Sequence, residues 1–129
     1  MSGLPGLDEC IFVHNSLMNK YIPKLHQRLT EINFIPQMYC SQWFMTAFAV
    51  YFPMETVVRI WDVYFVEGRK TLFRLSLAIM KINEDKLMQA SFEDCFAVFK
   101  EYKNVVDIDE LFKVGFGFTF SKAYIFELL

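Results

Sequence analysis

The sequence predicts an all-α fold, an irregular array of about seven to nine helices. Three observations carry that reading. Apolar residues recur three and four positions apart along most of the 129 residues. Glycine and proline are scarce, at 5 and 4 residues, and proline falls mostly between apolar runs rather than inside them. The one alternating stretch, Val114, Phe116, Phe118 and Phe120, has no convincing second strand to pair with. An isolated strand leaves its backbone groups unbonded, so helix or irregular structure is expected there.

The first helix is expected from Pro5 or Asp8 to Asn19, with Cys10, Ile11, His14, Leu17 and Met18 at helical spacing. Pro23 suits the opening turn of a second, over 22–32, where a missing N–H costs least; Leu25, Leu29 and Ile32 form its stripe. Pro36 breaks the chain. A third helix over 38–51 is apolar nearly all round and is expected to be central, with Trp43, Phe44 and Phe48 on one face. Pro53 fixes the corner before a fourth helix, 54–66, with Val57, Val58, Trp61 and Phe65 expected inward. On its surface Arg59 and Asp62, three apart, are expected to pair. Gly68 can take the positive φ that ends a helix. A fifth helix covers 69–82 through Leu72, Phe73, Leu75, Ala78, Ile79 and Ile82. A short helix over 84–89 follows. Ser91 is a good N-cap for 92–102, and Asp107, with Glu110 three residues on, for 108–114. Ser121 is placed to cap a last short helix to Leu128.

The length suits one domain. Hydrophobic residues make up 54% and aromatic residues 18%, with 15 Phe, 6 Tyr and 2 Trp. Mean hydropathy is +0.25. A chain this apolar buries enough surface to offset its ordering entropy, which excludes disorder. It also carries more apolar surface than a domain this small hides alone, so an uncovered apolar face is expected. The first helix, around Ile11, Leu17 and Met18, is the expected part of it, open to self-association or to a partner. Net charge is −2, and no basic residues interleave with the aromatics, so nucleic acid is not an expected partner. Three well-separated cysteines without a CxxC point to free thiols in a reducing compartment. The opening stretch lacks the basic-then-apolar pattern of a signal peptide. Residues 32–54 carry no charge and are long enough to span a bilayer. Yet Asn33, Pro36, Gln37, Ser41, Gln42 and Pro53 interrupt them, so a buried core segment is expected and no transmembrane segment.

Catalytic and cofactor chemistry finds little footing. Gly68-Arg69-Lys70-Thr71 has the residue types of a phosphate loop in the wrong order, without the upstream glycine. Cys10 and His14 sit one helical turn apart, but His26 is the only other histidine, which is too few ligands for zinc. No GxSxG occurs, and the acidic pairs Glu84-Asp85 and Glu93-Asp94 suit solvated helix ends. No cofactor, metal or catalytic residue is predicted.

One pattern is more specific. Tyr39-Cys40-Ser41-Gln42-Trp43-Phe44-Met45-Thr46-Ala47-Phe48 is followed by Phe52-Pro53. Then come Arg59-Ile60-Trp61-Asp62-Val63-Tyr64-Phe65-Val66-Glu67-Gly68 and Leu72-Phe73-Arg74. In order and spacing these closely resemble the C-terminal half of TBC domains, the all-helical domains of Rab GTPase-activating proteins. The resemblance extends upstream through Pro23, Leu25 and His26 and weakens after Ile82. The matching residues Trp43, Phe44, Phe48, Pro53, Arg59, Trp61, Asp62, Glu67, Gly68, Phe73 and Arg74 read as fold-making rather than as partner contacts.

The resemblance implies a Rab-type small GTPase as partner, a role in vesicle traffic, and a cytoplasmic location that extends to the periphery of endomembranes. It implies a GTPase activator rather than an enzyme in its own right. Such domains act through an arginine from IxxDxxR, which neutralises charge on the transferred phosphoryl group, and a glutamine from YxQG, which positions the attacking water. Neither motif occurs here. Gln42 has the wrong spacing from Tyr39 and the wrong following residue, and none of Arg28, Arg59, Arg69 and Arg74 matches the finger. The expectation is therefore a partial TBC domain over 1–129, catalytically incompetent alone. The alternative is a non-catalytic helical module binding a Rab or an N-terminal lobe. An IxxDxxR followed by YxQG encoded in frame upstream would restore the activator.

Overall fold

The computed structural model describes residues 6–128. Pro5, the alternative start of the first helix, and the beginning of the stretch read as lacking a signal sequence lie outside the described residues. Among those described there are nine α-helices and no strand.

Helices α1 (Leu7–Tyr21) and α2 (Pro23–Glu31) form a hairpin, with Pro23 in the first turn as its sequence position dictates. A single 3-10 turn (Pro36–Met38) leads to α3 (Ser41–Met45). Then come α4 (Met54–Glu67), α5 (Lys70–Ile82) and α6 (Glu84–Gln89). The chain ends with α7 (Phe92–Val105), α8 (Ile108–Phe116) and α9 (Lys122–Leu128). The caps fall where the sequence puts them. Ser91 Oγ accepts from the Asp94 amide, Asp107 from that of Glu110, and Ser121 from that of Tyr124. Gly68 ends α4 at φ 80°.

The central helix is α5, not the 38–51 segment. All its residues from Thr71 to Met80 are buried except Arg74, and it packs against α1, α4, α6 and α8. Gly115 of α8 lies so close to α5 that a Cβ there would sit 3.3 Å from Leu75 and 3.4 Å from the Arg74 carbonyl oxygen. The 114–120 stretch is thus the end of a helix and an irregular exit, as expected.

The predicted 38–51 helix is the main correction. Cys40, Trp43 and Phe48 are core, but Met38, Met45 and Val50 are exposed and the helix stops at Met45. The Phe48 amide donates back to the Trp43 carbonyl at 2.9 Å, and Ala47 takes φ 48°, the left-handed position that closes a helix end. Phe48, itself at φ 68°, is thereby folded under, with its ring 5.8 Å from that of Trp43. The same closure ends α2. There Asn33 takes φ 60°, and the Phe34 and Asn33 amides reach the Leu29 and Thr30 carbonyls. Both turns deliver a phenylalanine into one aromatic cluster. Trp43 meets Tyr39, Tyr51 and Phe99, and Tyr39 stacks between Phe34 and Phe99. No described helix is long and apolar enough to cross a membrane.

Candidate functional site

The eleven residues that the resemblance singles out divide by position. Trp43, Phe48 and Phe73 are buried. Phe44 is half-buried against Phe73, ring centroids 5.4 Å apart. Pro53 caps α4 with φ −60°. Glu67, Gly68 and Arg74 form a corner between α4 and α5. Glu67 is 3.5 Å from Arg74 and 3.6 Å from Lys70, so one carboxylate closes the turn that Gly68 makes. The Arg74 guanidinium reaches further: its Nε–H donates to the Phe118 carbonyl at 3.1 Å, and it lies beside the Phe116 and Phe120 rings.

The remaining three, Arg59, Trp61 and Asp62, lie on the exposed side of α4. Arg59 does not pair with Asp62. It reaches Asp109 of α8 at 3.6 Å and lies near the Phe112 ring, because α8 approaches that flank. Trp61 is 38% exposed. Its Nε1–H donates to the Ala47 carbonyl at 3.0 Å, a group that the left-handed turn brings to α4. The indole is therefore held at the surface with its polar atom already satisfied.

Around Trp61 runs an apolar stripe that the sequence reading assigned to the core. Of the four residues expected inward, only Val57 is buried; Val58 is 50%, Trp61 38% and Phe65 76% exposed. Helix α4 instead buries Thr56, Val57 and Ile60. With Met54, also exposed, the outward residues are 54, 58, 61 and 65, one face of a helix at four-three-four spacing. Helix α4 is thus apolar on two faces. The periodicity was visible in the sequence, but periodicity does not say which of two apolar faces meets the core. The uncovered face expected on α1 is corrected by the same comparison: Ile11, Leu17 and Met18 are all buried. Glu55 and Asp62, both exposed and seven residues apart, run along one side of the α4 stripe.

The described residues hold no group of His, Cys and carboxylates able to bind a metal ion. Cys10 and His14 illustrate why. Ser76 Oγ–H donates to the Phe73 carbonyl, so Ser76 Oγ accepts from His14 Nδ1–H at 2.8 Å. His14 Nε2 then accepts from the Tyr39 hydroxyl at 2.7 Å. Neither ring nitrogen keeps a lone pair for a metal. Burial holds this imidazole down to about 3, with His26 adding a smaller push, and raises the Cys10 thiol.

Comparison with known proteins agrees with this architecture. The family pattern of the Rab-GTPase-TBC domain matches residues 1–88. GTPase-activating protein GYP5 of Saccharomyces cerevisiae is 35% identical over 78% of this chain, and Rab GTPase-activating protein tbc-11 of Caenorhabditis elegans is 35% identical over 76%. The chain covers 11% and 10% of those two proteins, so it spans about a tenth of their length. The crystal structure of the Chlamydomonas flagellar RabGAP TBC domain superposes with a TM-score of 0.75 at 32% identity, covering 79% of this chain and 36% of that one. The chain is a piece of a TBC domain and belongs to the Rab-GTPase-TBC domain family.

Proposed function

We propose that these 129 residues form the scaffold lobe of a regulator of Rab-type small GTPases, and that alone they do not accelerate GTP hydrolysis. The regulatory role follows from family membership. The inactivity rests on one observation: neither IxxDxxR nor YxQG occurs in the sequence. The structural roles of the arginines support it. Arg59 is paired with Asp109, Arg74 with Glu67, and Arg28 donates to the Ala90 carbonyl, so none of these three is presented as an inserted side chain. An arginine finger is worth roughly 10³–10⁵ in rate, so its loss removes nearly all activation. In this reading the protein acts in vesicle traffic, in the cytoplasm or on endomembrane surfaces.

The test is single-turnover GTP hydrolysis by a panel of Rab proteins with the purified chain in excess. Rates within a few-fold of the intrinsic values are expected. A hundredfold stimulation of any of them would sink the reading. A second reading, a non-catalytic interaction module, is favoured by the exposed aromatic stripe on α4.

A further inference from the structure

The corner between α4 and α5 gathers positive charge that its carboxylate does not balance. Arg69 and Lys70 open α5, a 13-residue helix with no acidic residue in its first turn and no side-chain cap, which sets cations against the helix dipole. Arg74 follows one turn on. Lys122 of α9 comes in from the other side, its Nζ 3.7 Å from where a Gly68 Cβ would stand. Glu67 faces them with one oxygen, 3.6 Å from Lys70 and 3.5 Å from Arg74. Among the described residues Lys122 makes no ion pair. Beside Lys70, Thr71 is 1% exposed, and its hydroxyl is bonded to nothing among the described residues. Helix side chains tilt toward the N-terminus, which carries this hydroxyl toward the Gly68 turn. Buried hydroxyls are nearly always hydrogen-bonded, so an orphan one beside unbalanced cations points to an anionic ligand.

We propose that this corner binds a phosphate monoester, held by the Lys70 and Lys122 ammonium groups and by the Thr71 hydroxyl as donor. Arg69 and Arg74 add charge from either side. Four cations against one carboxylate suit a dianion. Two ammonium groups and a hydroxyl, carried on two helices, match the three terminal oxygens of a phosphate; a carboxylate has only two. Arg74 stays with Glu67 and the Phe118 carbonyl, while Lys70 can turn from Glu67 to the anion. A side chain at position 68 would occupy the approach to Lys122, and Gly68, at φ 80°, leaves it clear. The corner is not a nucleotide loop. Gly68-Arg69-Lys70-Thr71 lacks the upstream glycine, and the Thr71 and Leu72 amides already close on the Gly68 and Arg69 carbonyls at 3.1 and 3.0 Å. Side chains therefore supply the contacts. Lys70 is not among the eleven residues of the TBC resemblance, and Lys122 lies beyond the residues 1–88 that the family pattern covers.

The test titrates inorganic phosphate into the chain and follows the unfolding midpoint, with sodium chloride at equal ionic strength as the control. A ligand that binds only the folded state raises the midpoint with concentration, so phosphate is expected to raise it and chloride is not. Lys122→Gln, at an exposed position, and Thr71→Val are each expected to weaken the apparent affinity roughly fivefold or more. Without phosphate, Thr71→Val is expected to be no less stable than the parent chain, because it removes a buried orphan hydroxyl. Equal midpoints in phosphate and chloride overturn the proposal. So does a phosphate effect that survives both substitutions. Vesicles distinguish the two sources of the phosphate. Binding to phosphatidate but not to phosphatidylserine at equal surface charge, reversed by phosphate and lost in Lys122→Gln, assigns a lipid headgroup. A phosphate-dependent midpoint without vesicle binding assigns a soluble phosphate. Neither Rab nor GTP enters the titration, so its failure is distinguishable from failure of the hydrolysis reading.

Discussion

The Tyr39 hydroxyl donates to His14 Nε2 at 2.7 Å, and this bond fixes the proton inventory of the interior. It leaves Nδ1 as the donor to Ser76, whose own hydroxyl proton goes to the Phe73 carbonyl. Three residues distant in sequence, on α1, after the 3-10 turn and on α5, thus form a chain in which every side-chain donor finds an acceptor. A network satisfied throughout rigidifies what it connects; the same network short of one partner costs about 1–3 kcal/mol.

Stability is expected to fall on acidification because of this imidazole. Burial holds its folded-state value at about 3, whereas an unfolded histidine titrates near 6.5. Between those limits the unfolded chain takes up a proton that the folded chain refuses, so acid favours unfolding; above pH 7 both states are neutral and the contribution is flat. From pH 6 to pH 5 the loss from this group is about 1 kcal/mol. Urea unfolding across pH 7 to 5 measures it. His14→Gln is expected to be less stable at pH 7 but to flatten that slope. An equally steep slope in the variant would assign the acid sensitivity elsewhere.

Ala47 holds a left-handed backbone, φ 48°, so that Phe48 can turn under Trp43. That conformation costs a residue with a Cβ about 1–2 kcal/mol. An Ala→Gly change in a helix interior is destabilising by about 0.5–1 kcal/mol. Here the relieved strain offsets the added chain entropy, and Ala47→Gly is expected to be neutral or slightly stabilising. Ala47→Val is expected to cost more than 1 kcal/mol. Thermal unfolding of the pair checks both signs, and a clear loss of stability in the glycine variant would refute the strain argument.

How far the sequence spoke depended on whether the deciding interaction was local. Ser91, Asp107 and Ser121 each bond an amide three residues on, and Gly68 acts within its own turn, so these helix ends were readable. Ala47 and Phe48 were not, because neither residue type announces a left-handed turn. What holds them there is burial of Phe48 in a cluster completed by Phe99, about fifty residues downstream. The orientation of α4 failed for a related reason. Its two apolar faces are equivalent to periodicity, and only the position of α5 decides between them. His14 was legible as a packing residue but not as the middle of a relay, since Tyr39 and Ser76 lie 25 and 62 residues away. The candidate site was legible as a pattern of residue types; its exposure was not.

Arg74 offers the sharpest separation between local and global effects. Its side chain is 14% exposed and joins three things: the Glu67 carboxylate at the α4–α5 corner, the Phe118 carbonyl, and the rings of Phe116 and Phe120. Among the described residues, α9 buries no residue fully. Arg74→Ala therefore removes a charge-assisted hydrogen bond worth about 2 kcal/mol. Most of that loss is expected to appear as local opening of 117–128 rather than as unfolding of α5. Native-state hydrogen exchange should show amides of α9 exchanging about tenfold faster, a change of about 1.4 kcal/mol, while those of α5 slow or speed only with global stability. Arg74→Lys is expected to behave like the alanine variant in α9. A single ammonium cannot hold the carboxylate and the carbonyl in the fork geometry that Nη1 and Nε provide. Uniform acceleration across α5 and α9 would instead make Arg74 a global stability residue and remove its role as the tie for the C-terminal segment.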